Sequence, residues 1–102
     1  MTTATARVAD TLIATTHDPV VVEGYVYFPE DDVIPGVLVA NTAKSLCFWK
    51  GVASYYDVST GDLTLLSAAF TYRHPSPLAR RIKGRIAFWN GVDVCCDDGV
   101  ET

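Results

Sequence analysis

The chain has 102 residues, a formal net charge of −4, a pI near 4.8 and 49% apolar residues, among them two Trp, five Tyr and four Phe. That composition excludes a disordered chain and supplies enough core material for one domain over residues 1–102. It also argues against a nucleic-acid partner, because counterion displacement from phosphates needs a basic surface. Five of the eight Lys and Arg residues do gather, as Arg73, Arg80, Arg81, Lys83 and Arg85; such a cluster reads as a solvated face or as a local site for a phosphate or carboxylate.

Turn signals recur at short intervals: Asp18-Pro19, Glu23-Gly24, Pro29 to Asp32, Ile34-Pro35-Gly36, Gly51, Thr60-Gly61-Asp62, His74 to Pro77, Asn90-Gly91 and Asp98-Gly99. The β-rich runs between them predict strands near 6–15, 19–28, 37–42, 52–58, 62–70, 83–89 and 92–96. Two hairpins are expected. Residues 54–58 and 63–66 flank the loop Ser59-Thr60-Gly61-Asp62, where Gly61 can take positive φ. Arg85 to Trp89 and Val92 to Val94 flank Asn90-Gly91, a strong two-residue turn signal that places Phe88 and Trp89 on opposite faces. One short helix is expected near 77–83. Ser76 would cap it, Pro77 would start it and Gly84 would close it. Leu78 and Ile82 would then dock on the sheet while Arg80 and Arg81 face water. The class that results is mostly β.

No apolar run approaches the roughly 18 residues that span a bilayer, so no membrane partner is expected. The opening Met-Thr-Thr-Ala-Thr-Ala-Arg lacks the basic-then-apolar order of a leader, which makes a cytoplasmic setting the expectation. Three cysteines, Cys47 and the adjacent Cys95-Cys96, make an odd set for a disulfide framework, so reduced thiols are expected. With no Cys-x-x-Cys pair and only His17 and His74, neither a metal site nor a cofactor is expected. The run Glu30-Asp31-Asp32 reads as turn chemistry.

The segment from Thr42 to Tyr56 concentrates chemistry: Cys47 lies three residues from Lys50 among Phe48, Trp49, Tyr55 and Tyr56. An ammonium close by favours the thiolate, whereas apolar neighbours favour the neutral thiol, so Cys47 is either a reactive group or a packed, inert one. A catalytic cysteine also needs a base, for which His74 is the better placed histidine. Neighbouring tyrosines on a strand cannot both face the core, and in Tyr25-Val26-Tyr27-Phe28 the tyrosines share the face opposite Val26 and Phe28. Several tyrosines and one tryptophan are therefore expected to line a concave surface or to form an amphipathic rim.

Four anchors in order, Tyr27-Phe28-Pro29-x-x-Asp32-Val33, Thr42-x4-Cys47-x-Trp49-Lys50-Gly51-x-Ala53-x-Tyr55-Tyr56, Ala68-Ala69-Phe70-x-Tyr72-x-x-Pro75 and Ile82-Lys83-Gly84-x-Ile86-Ala87-Phe88-Trp89, resemble domain of unknown function family 427 (DUF427) over residues 6–96. The chain departs from that pattern at Phe70, where the family commonly has Trp, and at Lys44-Ser45, where a His commonly stands. The resemblance implies compact, bent antiparallel sheets of the β-tent (Mss4-like) group, whose relatives usually carry two zinc-binding Cys-x-x-Cys knuckles that are missing here. The family is sometimes labelled nucleotidyltransferase-like, yet no Gly-Ser followed by paired aspartates is present to hold magnesium.

The leading functional expectation is an aromatic-lined cleft that binds a small anionic or aromatic molecule. Tyr27, Trp49, Tyr56 and Tyr72 would form its walls, and Lys50 and Arg73 would anchor an acidic group. The alternatives are a cysteine-dependent enzyme, with Cys47 and Lys50 catalytic, and a protein-interaction module; a homodimer is compatible with any of these.

Overall fold

Where the sequence suggests one long N-terminal strand, the chain instead turns back on itself. The computed structural model describes residues 3–97, so the Asp98-Gly99 turn signal lies outside the described residues. Strand β1 (Thr3–Val8) pairs antiparallel with β2 (Thr11–Thr16) across Ala9-Asp10, where Ala9 has φ 52°. The span 19–28 is likewise a hairpin, β3 (Val20–Val22) and β4 (Tyr25–Phe28), joined by Glu23-Gly24. Both turn residues have positive φ, 54° and 83°, which matches the right-handed twist of the flanking strands.

The strands that follow are β5 (Leu38–Cys47), β6 (Gly51–Ser59), β7 (Thr64–Thr71), β8 (Ile86–Phe88) and β9 (Asp93–Asp97). They form a three-stranded sheet of order β2-β1-β9 and a six-stranded sheet of order β3-β4-β8-β7-β6-β5, antiparallel throughout. The expected β6–β7 hairpin is present, with Gly61 at φ 94°. The other expected hairpin is not. Asn90-Gly91 does make a tight turn, with the Val92 N–H donating to the Trp89 carbonyl at 3.2 Å, but β8 and β9 part to different sheets. The reason is pairing capacity: β4 and β7 already flank β8, so β9 completes the small sheet beside β1.

Alternation then sorts the side chains into two layers. Ala4, Ala6, Val8, Ile13, Phe28, Tyr56, Val58, Ile86 and Phe88 fill the space between the sheets, where Phe28 and Phe88 meet edge-on at 5.5 Å. Burying a side chain of this size contributes about 1.5–3 kcal/mol. Tyr27, Phe70, Tyr72, Ala53 and Ala87 face the opposite side of the large sheet, where Ala79 and Ile82 cover them.

That cover is not an α-helix. Residues Pro77–Ile82 form tight 3-10 turns, and Ala79 interrupts the helical backbone. At three residues per turn, positions 79 and 82 share a face, so Ala79 and Ile82 are buried and Leu78 is 80% exposed. The expected docking of Leu78 therefore fails, while that of Ile82 holds. Ser76 makes no cap bond; its hydroxyl donates to the Trp49 carbonyl instead. Gly84 does close the segment, at φ 71°.

Candidate functional site

The outer face of the large sheet carries the aromatic cluster. Phe70 lies at its centre, with ring centroids of Tyr25, Tyr55, Trp89, Tyr27 and Tyr72 between 5.3 and 6.2 Å away. Phe88 and Trp89 point to opposite sides, as their register requires, and so do Tyr55 and Tyr56.

Over one flank of this cluster folds the loop Phe48-Trp49-Lys50, which joins β5 to β6. Cys47 pairs with Gly51, and the Lys50 N–H donates to the Cys47 carbonyl at 3.1 Å. The neighbouring segment staples the loop in place: the Ser76 N–H donates to the Lys50 carbonyl at 2.9 Å. Gly51 is required at this junction. Its φ is 113°, and a Cβ there would stand 3.4 Å from the His74 carbonyl oxygen and 3.5 Å from Pro75 Cα.

The loop delivers Lys50 into the interior. The residue is only 5% exposed, with its ammonium 5.4 Å from the Trp49 ring centroid and 5.5 Å from that of Tyr72. Glu23 closes the arrangement from the β3–β4 turn. One carboxylate oxygen accepts from Lys50 Nζ at 2.5 Å and the other from Trp49 Nε1 at 3.1 Å. Hydrogen bonds from Lys50 and Trp49 hold the Glu23 carboxyl below its ordinary range. Burial pushes the Lys50 ammonium down, but the Glu23 hydrogen bond and the surrounding Tyr72 and Cys47 outweigh it, so Lys50 titrates above its usual value.

Tyr27 belongs to the same aromatic cluster as Trp49 and Tyr72. It is fully buried, and its hydroxyl has no hydrogen-bond partner. Burial first, and then the nearby Tyr72, Glu23, Cys47 and Tyr25, push its ionisation upward, so it remains a neutral donor. Burial also raises Tyr72, against the pull of Lys50.

Tyr27, Trp49, Lys50 and Tyr72 thus come together, with half-buried Cys47 packed against the same cluster. Tyr56 and Arg73 do not join them. Tyr56 belongs to the layer between the sheets, where Arg73 donates to its hydroxyl and places the guanidinium 5.6 Å from its ring centroid. His74 lies exposed in the stapling segment. Glu23 is the residue that sequence reasoning missed. The available signal was a glutamate in the first position of a two-residue turn, where Asn, Asp or Gly is usual and a longer side chain carries backbone strain. Among the described residues, no three His, Cys, Asp or Glu side chains cluster as a metal ion would need.

Fold and site together define a small all-β domain with a buried lysine, set in aromatic rings and paired with an exposed glutamate. Residues 2–98 match the family model described as Domain of unknown function (DUF427), and the chain belongs to that family. No curated protein matches the chain.

Proposed function

We propose that the domain binds a small molecule carrying an acidic group on a planar, aromatic body, and that Glu23 occupies the acid position when no ligand is there. The observation that carries this reading is the buried Tyr27 hydroxyl without a partner, in the aromatic cluster whose Trp49 and Tyr72 rings flank a buried ammonium that uses one of its three N–H donors. Glu23 already displays the chemistry the position accepts: a carboxylate bridging Lys50 and the Trp49 N–H. A ligand carboxylate or phosphate would displace it and accept from Lys50, Trp49 and Tyr27, with its ring between Trp49 and Tyr72. Lys50 is the anchor, and Arg73 has no part, since it is engaged on the other side of the sheet. Three free cysteines fit a cytosolic, reducing setting, and the bent sheets fit a β-tent arrangement.

Calorimetric titration of aromatic carboxylates and phosphates tests the reading. Binding should vanish in Lys50→Met and strengthen about tenfold in Glu23→Gln, which removes the internal competitor, one decade being about 1.4 kcal/mol. Equal affinity in wild type and Glu23→Gln would remove Glu23 as a competitor, and unchanged binding in Lys50→Met would sink the proposal.

One observation favours a second reading, thiol chemistry at Cys47: the turn that joins Cys47 to Lys50 places both against Tyr72. Iodoacetamide labelling of the native Cys95→Ser/Cys96→Ser protein decides it. A Cys47 that stays unlabelled near pH 8 would end that alternative.

A further inference from the structure

The two ends of the β5–β6 hairpin differ in charge and form, a protruding apolar tip at one and grooves at the other. At the loop end, Phe48 is 93% exposed and Leu46 76% exposed, and Leu78 projects from the segment stapled beside them. Exposed Lys44 lies on the strand that leads to this tip, and exposed Arg80, Arg81 and Lys83 lie on the segment stapled to it and at that segment's end; Glu23, bonded to Lys50 and Trp49, offsets the Lys50 charge beside them. At the far end, about 30 Å along a strand of this length, lie two grooves of about 370 and 400 Å³ on either side of Ile34-Pro35-Gly36. Glu30 and Asp31 line the first groove, and Leu12, Ile13 and Val37 line the second. Exposed Asp10 and Asp62 adjoin the second in sequence, and Arg7 pairs with Leu12 of its lining.

We infer that copies of this chain associate head to tail, with the Phe48 tip of one copy in the Ile34-Pro35-Gly36 groove of the next. The inference uses Phe48 rather than the adjoining Glu23–Lys50 pair, whose Lys50 shares its loop, and self-association without added ligand reads it apart from the ligand proposal. Each end is apolar at its centre and charged at its rim, the anatomy of a protein interface, and the rims are opposite in sign. Two exposed apolar ends on a chain of net charge −4 gain more from each other than from a like end, since tip against tip sets bases against bases. The contact joins different surfaces, so it does not close into a symmetric dimer and leads to short, reversible chains. A single protruding ring buries less than the roughly 800 Å² per partner of a stable complex, so association is weak and salt-sensitive.

Sedimentation velocity over a concentration series, up to about 0.5 mM at low ionic strength, reads this directly. The weight-average mass should rise continuously without a plateau at the dimer, and about 0.5 M salt should weaken association at least tenfold, as screening requires. Phe48→Ser should abolish it. Arg80→Glu/Arg81→Glu cancels the positive charge of the tip and Glu30→Lys/Asp31→Lys reverses the groove; each alone should be monomeric, and their equimolar mixture should recover heterodimers through the unaltered tip of one and the unaltered groove of the other. Circular dichroism on each variant checks that these surface changes leave the fold intact. Monomer at all concentrations, a dimer plateau, or swapped variants that fail to recover association when mixed would overturn the inference. So would wild-type monomer that instead co-sediments with vesicles of anionic lipid, since the tip would then serve a membrane surface.

Discussion

Replacing Tyr27 by Phe separates stability from function at the site. The substitution removes one oxygen and leaves the ring, which is fully buried and meets Phe70 edge-on at 6.1 Å. Core volume and aromatic contacts are therefore conserved. The hydroxyl forfeits its hydrogen bonds to water on folding and gains none in return. Leaving such a group unsatisfied costs about 1–3 kcal/mol, so Tyr27→Phe should stabilise the free protein by up to that amount. For a domain of about 100 residues, each kcal/mol corresponds to roughly 4–8 °C in Tm. Urea denaturation with an unchanged m value, together with calorimetry, gives the sign. The same variant should bind an aromatic carboxylate about tenfold more weakly, because a charge-assisted hydrogen bond of about 1.5 kcal/mol or more is lost. A loss of stability in Tyr27→Phe would refute the reasoning, since it would mean that the hydroxyl is satisfied in the free protein. Stabilising a protein by removing a functional polar group is the trade-off expected of a binding site.

Other predictions follow from the same geometry. Glu23 has a lowered folded-state value, so the stability it adds is present above its ordinary 4.5 and is lost as pH falls through the lower folded value; Glu23→Gln should flatten that acid limb in denaturation measured against pH. Lys50 has the opposite sign: its contribution is complete below 10.5 and fades as pH rises through the raised folded value, a limb that Lys50→Met should remove. Gly51→Ala should cost about 1–3 kcal/mol by calorimetry, because Ala resists a φ of 113° and its Cβ meets the His74-Pro75 backbone. Ile82→Ala should cost about 2–5 kcal/mol and Leu78→Ser under about 0.5 kcal/mol; comparable losses would contradict the three-residue periodicity of 77–82.

What the sequence disclosed follows the range of the forces involved. Strand alternation is local, so the opposed faces of Tyr55 and Tyr56, and of Tyr27 and Phe28, were legible from neighbouring residues. Turn chemistry is local too, and Gly61, Gly84 and Asn90-Gly91 all adopt the backbone it implies. Strand partners are not local. Nothing in Val92 to Val94 says that β8 is already flanked on both sides, so a correct turn became an incorrect hairpin. The short helix misled for a related reason: Ser76 and Pro77 suit an α-helix, but the bond from Ser76 to Trp49 draws that hydroxyl away from the cap. The candidate site was half visible. Trp49, Lys50, Tyr27 and Tyr72 stand out by type, whereas Glu23 is 27 residues from Lys50 and meets it only through the fold.

The most direct test is where a ligand acts. In a ¹H–¹⁵N correlation spectrum, the Trp49 indole N–H donates to Glu23 in the free protein. Titration with an indole or benzene carboxylate should shift that resonance first, with the Lys50 and Tyr27 amides following at the same midpoint. A saturating shift confined to the Ile34-Pro35-Gly36 grooves, with the Trp49 indole unmoved, would contradict the account.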